Sequence, residues 1–212
     1  MLFWTRRDFS VTRVNASAAL EALYSQPPGA ASLAKVARRL TPLYRKWIMA
    51  SRFCVLTTVG AEGTDGSPRG DDGPVVAELD PGTLLMPDWR GNNRLDSLRN
   101  IVSDGRVSLM FMVPGSATVV RVNGRAHLST DAALRERFVQ KERQPTTVIV
   151  IEIAEIYTQC ARAIMRAGLW TQGDQSAGLP SAGDILHEMT NGEIDGAAYD
   201  AAWPARAKAS MW

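Results

Sequence analysis

Cysteine and histidine are nearly absent from this chain, with two of each in 212 residues. Cys54 and Cys160 lie far apart, too sparse for a disulfide framework, so reduced thiols in a cytoplasm are expected. His127 and His187 fall in no HExxH pattern and the cysteines in no CxxC pattern, so no metal site is expected. No apolar run approaches the roughly 20 residues that a membrane-spanning helix needs, and no membrane partner is expected. Charge of one sign is scarce too: 24 Lys and Arg face 22 Asp and Glu, for a net +2. No basic block has the length of a nucleic-acid-binding arm, so no nucleic-acid partner is expected. Neither GxGxxG nor a Walker loop is present, so the sequence does not support a Rossmann nicotinamide site. There are no internal repeats.

What remains is an ordinary globular composition, 45% hydrophobic and 22% charged, long enough for one domain with helical additions. Thr5-Arg6-Arg7-Asp8-Phe9 is similar to a twin-arginine export signal. The apolar segment such a signal needs is interrupted by Arg13, Asn15 and Glu21, which favours the cytoplasm. The expected division is a helical extension over 1–50, a central domain over 51–171, and a loop with helices over 172–212.

Within the extension, a short helix is expected at Ala16 to Tyr24, ended by Pro27-Pro28-Gly29. Leu33, Val36, Leu40, Leu43, Trp47 and Ile48 fall at helical spacing, split by Pro42. The centre reads as antiparallel β. Phe53 to Thr58 is a strand followed by a Gly-rich hairpin at Gly60 to Gly66. Val107, Leu109, Phe111 and Val113 alternate with Ser108, Met110 and Met112. Val120, Val122, Gly124, Ala126 and Leu128 face one way and Arg121, Asn123, Arg125 and His127 the other, as in a half-buried strand. Val148 to Ile153 is apolar on both faces and should be buried on both. Asn92 or Asn93 could cap a helix carrying Leu95, Leu98, Ile101 and Val102, and Thr130 or Asp131 another with Leu134 and Phe138 inward. Gln172 to Gly183 reads as a loop. A helix with Ile185, Leu186 and Met189 follows, ended at Asn191-Gly192, and a last helix over Ala197 to Trp212 should break near Pro204. Hairpin-joined strands with inserted helices define an α+β fold, a small closed barrel with helical decoration.

Chemistry concentrates between Gly66 and Arg94. Gly66-Ser67-Pro68-Arg69-Gly70-Asp71 and Asp88-Trp89-Arg90-Gly91-Asn92-Asn93-Arg94 place arginines at strand ends and at a helix start. A guanidinium beside the free N–H groups of a helix start suits a phosphate. Arg69, stiffened by Pro68 and next to the bare backbone of Gly70, is either a cofactor contact or an exposed hairpin arginine. Arg94 is unfavourable against the helix dipole unless an anion neutralises it, which hints at phosphate; plain N-capping by the asparagines is the alternative and is compatible with it. Trp89 either stacks on a ring or covers the barrel mouth. Leu85, Met86 and Pro87 end a strand beside this region, and core packing is the simpler role for Leu85.

These stretches resemble the pyridoxamine 5'-phosphate oxidase-like, FMN-binding split-barrel family, in a bacterial branch with SPRGD, PD-x-x-GN-x-R and N-x-x-x-D-x-R-V signatures. Here these read Ser67 to Asp71, Pro87 to Arg94 and Asn100 to Val107. Arg121-Val122-Asn123-Gly124-Arg125-Ala126, Cys160-Ala161-Arg162-Ala163 and Leu169-Trp170 also match. The resemblance covers Lys35 to Trp170, and the order and spacing of the motifs carry it. It implies a split β-barrel that binds FMN as a homodimer, with the flavin at the subunit interface. It implies flavin contacts for Ser67, Pro68, Arg69 and Gly70, for Asn92 and Asn93, and for Arg94 at the phosphate. Leu85, Met86 and Pro87 would run along the isoalloxazine ring, with Trp89 beside them. Cys160, Arg162, Arg166 and Trp170 would reach the partner's flavin, or pack the dimer without touching it. The implied activity is an FMN-dependent oxidoreductase of unknown substrate, with NADH or NADPH as candidate donor. A non-catalytic flavin carrier or sensor, or a haem-binding split barrel, is the alternative. The Arg/His-rich substrate-phosphate segment of the true oxidases is missing near the C-terminus, where Ala201 to Trp212 has only Arg206 and Lys208 basic.

Overall fold

The computed structural model describes residues 12–24 and 26–212. The twin-arginine-like stretch at 5–9 lies outside the described residues. The chain forms two compact units, one up to Lys35 and one from Val36 to Trp212. The first holds two short helices, α1 (Ser17–Leu23) and α2 (Ala30–Ala34), neither with a buried residue.

The second unit begins with an extended segment in place of the expected helix. Ala37 exchanges both backbone hydrogen bonds with Ile156, at 2.9 and 2.7 Å, and this pairing accompanies a non-helical stretch over 36–41. Helix α3 (Pro42–Ile48) starts where Thr41 Oγ1 accepts from the Tyr44 N–H and Pro42 stands where no donor is needed. Of the apolar positions at helical spacing, Leu40 and Ile48 are buried, while Leu33, Val36 and Leu43 are exposed. Although α3 falls in the expected N-terminal extension, it packs Ile48 into the main core.

Seven strands follow: β1 (Phe53–Gly60), β2 (Gly63–Gly70), β3 (Ala77–Asp80), β4 (Thr83–Asp88), β5 (Arg106–Met112), β6 (Val119–Ser129) and β7 (Thr147–Gln159). Helix α4 (Asp96–Ser103) joins β4 to β5 and α5 (Ala132–Glu136) joins β6 to β7. After β7 come α6 (Arg162–Ala167), α7 (Ala182–Met189) and α8 (Gly196–Ser210). All strand pairs are antiparallel, in the order β2-β1-β5-β6-β7-β4-β3. The terminal strands β2 and β3 do not pair, so the ladder is split rather than closed.

The period of two sorts the strands as the sequence suggests. Cys54 and Leu56, then Val107, Leu109 and Phe111, then Val120 and Val122 all face one core with Ile149 and Ile151. The opposite face of β7 puts Val148 and Val150 in a second cluster with Leu85, covered by Leu134 and Phe138. Asp131 caps α5 through its carboxylate, which accepts from the Ala133 N–H at 2.8 Å. The two-faced apolar character of β7 is thus satisfied within one chain, from Val148 to Ile151; Glu152 is exposed. On β7 Ala154 is an extra residue, since Asn123 pairs with Glu155 and Gly124 with Ile153. A Cβ on Gly124 would meet the Glu152 carbonyl oxygen at 2.0 Å, so the bulge requires glycine there. Contrary to the expected break, α8 runs through Pro204, which has no N–H to donate back along the helix.

Candidate functional site

Strand β2 carries Ser67-Pro68-Arg69-Gly70 within its length, not in a turn; the hairpin turn is Ala61-Glu62. An edge strand tolerates Pro68 because one row of its N–H groups has no ladder partner. Asp65, Ser67 and Arg69 share its partly buried side. Arg69 therefore points into the split, with its side chain only 18% exposed. Its Nη1 lies 2.7 Å from Asp88 Oδ1 at the end of β4. Its Nε is buried and has no hydrogen-bond partner. Beneath it, burial pushes the Cys54 thiol up to about 12, with Arg69 pulling weakly the other way. A thiol so held is protonated at neutral pH and is no nucleophile.

A second bridge crosses the same gap. Trp89 donates its indole Nε1–H to Asp71 Oδ2 at 2.8 Å. Its ring meets that of Trp212 edge to face, with centroids 5.2 Å apart at 85°. Beyond Trp89 the chain makes a strained turn, with Asn93 at φ 59° and Leu95 at φ 61°. Asn92 Oδ1 accepts from the Arg94 N–H at 3.1 Å. Helix α4 begins only at Asp96, with Leu95 as its uncapped N-cap. Arg94 thus precedes the helix and does not sit in its first turn, and neither asparagine is its cap. The anion that the helix start was expected to want is already present in the chain. Asp96 stands in the first turn and takes the Arg94 Nε–H at 2.9 Å. Arg94 is 76% exposed. The buried Ser97 hydroxyl donates to the Asp65 carboxylate.

These residues line a cleft of about 1720 Å³, wider than the roughly 300–1,000 Å³ of a typical ligand pocket. Ser67, Pro68, Arg69, Gly70, Met86, Pro87, Trp89, Asn92, Asn93 and Arg94 all reach it. Leu85 does not; its side chain is fully buried in the second cluster on the far side of the sheet, which is the core packing named above as its simpler role. Cys160, Arg162, Arg166 and Trp170 do not line this cleft either. Cys160 is exposed after β7, and Trp170 donates its Nε1–H to the Ser116 carbonyl at 2.8 Å.

The opposite wall comes from residues that the sequence did not single out. Gln140, Lys141, Arg143, Gln144 and Thr146 of the α5–β7 connection and Thr147 at the start of β7 line it, with Met211 and Trp212. Gln140 and Arg143 exchange both backbone hydrogen bonds at 2.9 Å around Lys141 and Glu142, at φ 47° and 63°. No Asn-Gly or Asp-Gly pair signals this turn, and its approach to β4 is purely tertiary. Thr147 Oγ1, like Arg69 Nε, is buried without a partner. Five cations (Arg69, Arg90, Arg94, Lys141, Arg143) and five aspartates (65, 71, 72, 88, 96) line the cleft, so its selectivity depends on local placement rather than on net charge. No histidine lines it, and among the described residues no cluster of His, Cys, Asp and Glu could hold a metal. No helix among them is long and apolar enough to cross a membrane.

An antiparallel split barrel with an arginine at its gap defines a class of fold. The chain belongs to the pyridoxamine 5'-phosphate oxidase family, whose model matches residues 40–160. No curated protein matches it in sequence. Among solved structures it is similar to HupZ of Group A Streptococcus, at 18% identity over 56% of this chain and 93% of that one, TM-score 0.47. General stress protein 26 of Bacillus anthracis is 17% identical over 54% of this chain and 88% of that one, TM-score 0.42. An FMN-binding protein of Syntrophomonas wolfei is 13% identical over 55% and 88%, TM-score 0.41.

Proposed function

We propose that the chain binds FMN in this cleft and acts as an FMN-dependent oxidoreductase. It would work as a cytoplasmic homodimer with its flavins at the subunit interface. The observation that carries the reading is Arg69, whose Nε is buried in the split with no partner. A buried charged donor left unsatisfied is costly, and a polar ligand group removes that cost. Thr147 Oγ1 presents a second unsatisfied atom in the same cleft. Family membership supports a flavin.

In this reading Arg69 reaches the cofactor's phosphate together with Asn92, Asn93 and Arg94, while Thr147 satisfies another of its polar atoms. Ser67, Pro68, Gly70, Met86 and Pro87 border the ring, and Trp89 closes one side. Cys160, Arg162, Arg166 and Trp170, which do not line the chain's own cleft, are assigned to the partner's. Bound FMN supplies hydride transfer, with NADH or NADPH as the proposed donor. The chain contributes position and positive charge rather than a proton: Cys54 stays protonated and no histidine faces the cleft. Cys54 and Cys160 are both free, which suits a reducing compartment.

The test is titration of the apoprotein with FMN, FAD and riboflavin. FMN should bind at least tenfold tighter than riboflavin, because a charge-assisted phosphate contact is worth roughly 1.5–3 kcal/mol. Equal affinities would remove the phosphate argument, and a haem spectrum in the purified protein would replace the flavin reading.

A further inference from the structure

The end of α8 delivers Trp212 into the cleft. Two contacts hold it there. Arg143 Nη1 donates to the main-chain carbonyl oxygen of Trp212 at 2.6 Å, with the Ala209 carbonyl oxygen at 3.5 Å. The Trp212 ring meets Trp89 edge to face at 5.2 Å. Trp89 is itself fixed by Asp71, so the tail closes onto a rigid post. Arg143 is positioned by the doubly hydrogen-bonded Gln140–Arg143 turn, whose two central residues both hold positive φ without glycine. Such strain persists only where surrounding structure enforces it, and it marks clamps and switches. The grip is weak in sum. Its one short hydrogen bond comes from an exposed arginine, and its one aromatic contact involves a half-buried ring.

We propose that residues 209–212 are a strap that covers the cleft, latched by Arg143 and Trp89, and that an entering ligand must displace it. The proposal rests on the flavin reading only for its probe. A ligand that must open a latch binds more weakly by the fraction of molecules already open. Unlatching should therefore tighten binding, and should do so for any ligand whose ring enters the cleft, whether or not it carries a phosphate.

The experiment compares the full chain with Arg143→Ala and Trp212→Ala. FMN and riboflavin should each bind roughly five- to fiftyfold tighter to both variants, by the loss of one charged hydrogen bond and one aromatic contact. Unchanged or weakened binding would overturn the strap, since a Trp212 that walls the ligand gives the opposite sign to one that blocks it. A ligand-free arm reads the latch directly. The coupled circular dichroism of the two indoles should vanish equally in Trp212→Phe and Trp89→Phe, and fade in Arg143→Ala. Absence of that signal in the parent would also overturn the strap. If neither parent nor variants bind FMN, the flavin reading fails while the dichroism still decides the latch.

Discussion

Arg69 on β2 and Asp88 on β4 meet at 2.7 Å across a gap that no backbone hydrogen bond spans. These strands are the first and the sixth in a seven-stranded order, so one side-chain pair ties opposite ends of the sheet. Both side chains are largely buried, 18% and 15% exposed. Removing one partner of such a pair leaves the other charge without compensation. Asp88→Asn should cost about 1–3 kcal/mol in urea unfolding. The same change frees Arg69 for an anion, so FMN should raise the melting temperature of Asp88→Asn by more than that of the parent. An equal or smaller ligand-induced rise would show that Arg69 serves the barrel alone.

Arg69 and Arg94 are not equivalent. Arg69 is held in the split with an unsatisfied Nε; Arg94 is mostly in water and tied to Asp96. Arg69→Ala should weaken FMN about ten- to a hundredfold, the value of a charge-assisted contact in a poorly solvated site. Arg94→Ala should weaken it only a few-fold, since an exposed ion pair is worth roughly 0–1 kcal/mol. Isothermal titration of both variants, with urea melts to confirm folding, reads the order. The reverse order would place the phosphate at the α4 end alone.

The period-two strands were legible because burial is local to the pattern: Val107, Leu109 and Phe111 are buried as their alternation predicts. Asp131 and the Asn191-Gly192 stop are local chemistry and were legible for the same reason. The start of α4 is not legible because Asn92 and Asn93 look like caps, whereas Asp96 already supplies the first-turn anion. The far wall of the cleft was not legible at all. Lys141, Arg143 and Trp212 carry no motif, and they reach the site only through the path of the α5–β7 connection and the end of α8. Pro204 reads as a break, yet α8 continues through it, a helix interior tolerating one missing N–H when the rest of its turns are kept.

The proposed homodimer needs a new basis, since β7 is satisfied on both faces from Val148 to Ile151 within one chain. We propose α6 and the turn after it as that basis, where Met165, Leu169 and Trp170 are 69%, 49% and 38% exposed. Exposed apolar residues in one short segment mark an association surface. Met165→Asp should shift light scattering from dimer to monomer and weaken FMN together, because the flavin sites are proposed to lie between subunits. A flavin-loaded monomer would refute the shared site.

Acid should unlatch α3 from β3. Arg45 grips Glu78 with two hydrogen bonds, 2.5 Å from Nε and 2.7 Å from Nη2. This contact, chiefly the hydrogen bond, holds the Glu78 carboxyl below its usual range. A carboxyl with a lower value folded than unfolded stabilises the fold above the unfolded value, and that contribution is lost as pH falls through the folded value. The gap in urea midpoint between the parent and Arg45→Met should be widest near neutral pH and close on acidification below about pH 4. A gap independent of pH would show that Arg45 acts through packing instead.

Finally, the chain should be a poor pyridoxamine 5'-phosphate oxidase despite its family. A phosphorylated substrate needs a second set of cationic donors beyond those holding FMN. The tail supplies none to the cleft, as its composition suggests, but Lys141 and Arg143 reach it from the α5–β7 connection. They do not make up the difference. Arg143 is engaged by the Trp212 carbonyl, Arg94 by Asp96 and Arg69 by Asp88. Arg90 and Lys141 remain without a hydrogen bond or ion pair among the described residues, in a cleft with five aspartates and no histidine. These two, joined by Arg143 once the proposed strap opens, are dispersed on strained or exposed turns and do not preorganise a doubly charged group. Pyridoxal phosphate formation under air should therefore stay well below about 1 per second, the lower end of ordinary turnover. Faster turnover would mean that Lys141 and Arg143 assemble into a phosphate site when substrate binds, and its loss in Lys141→Ala would locate that site.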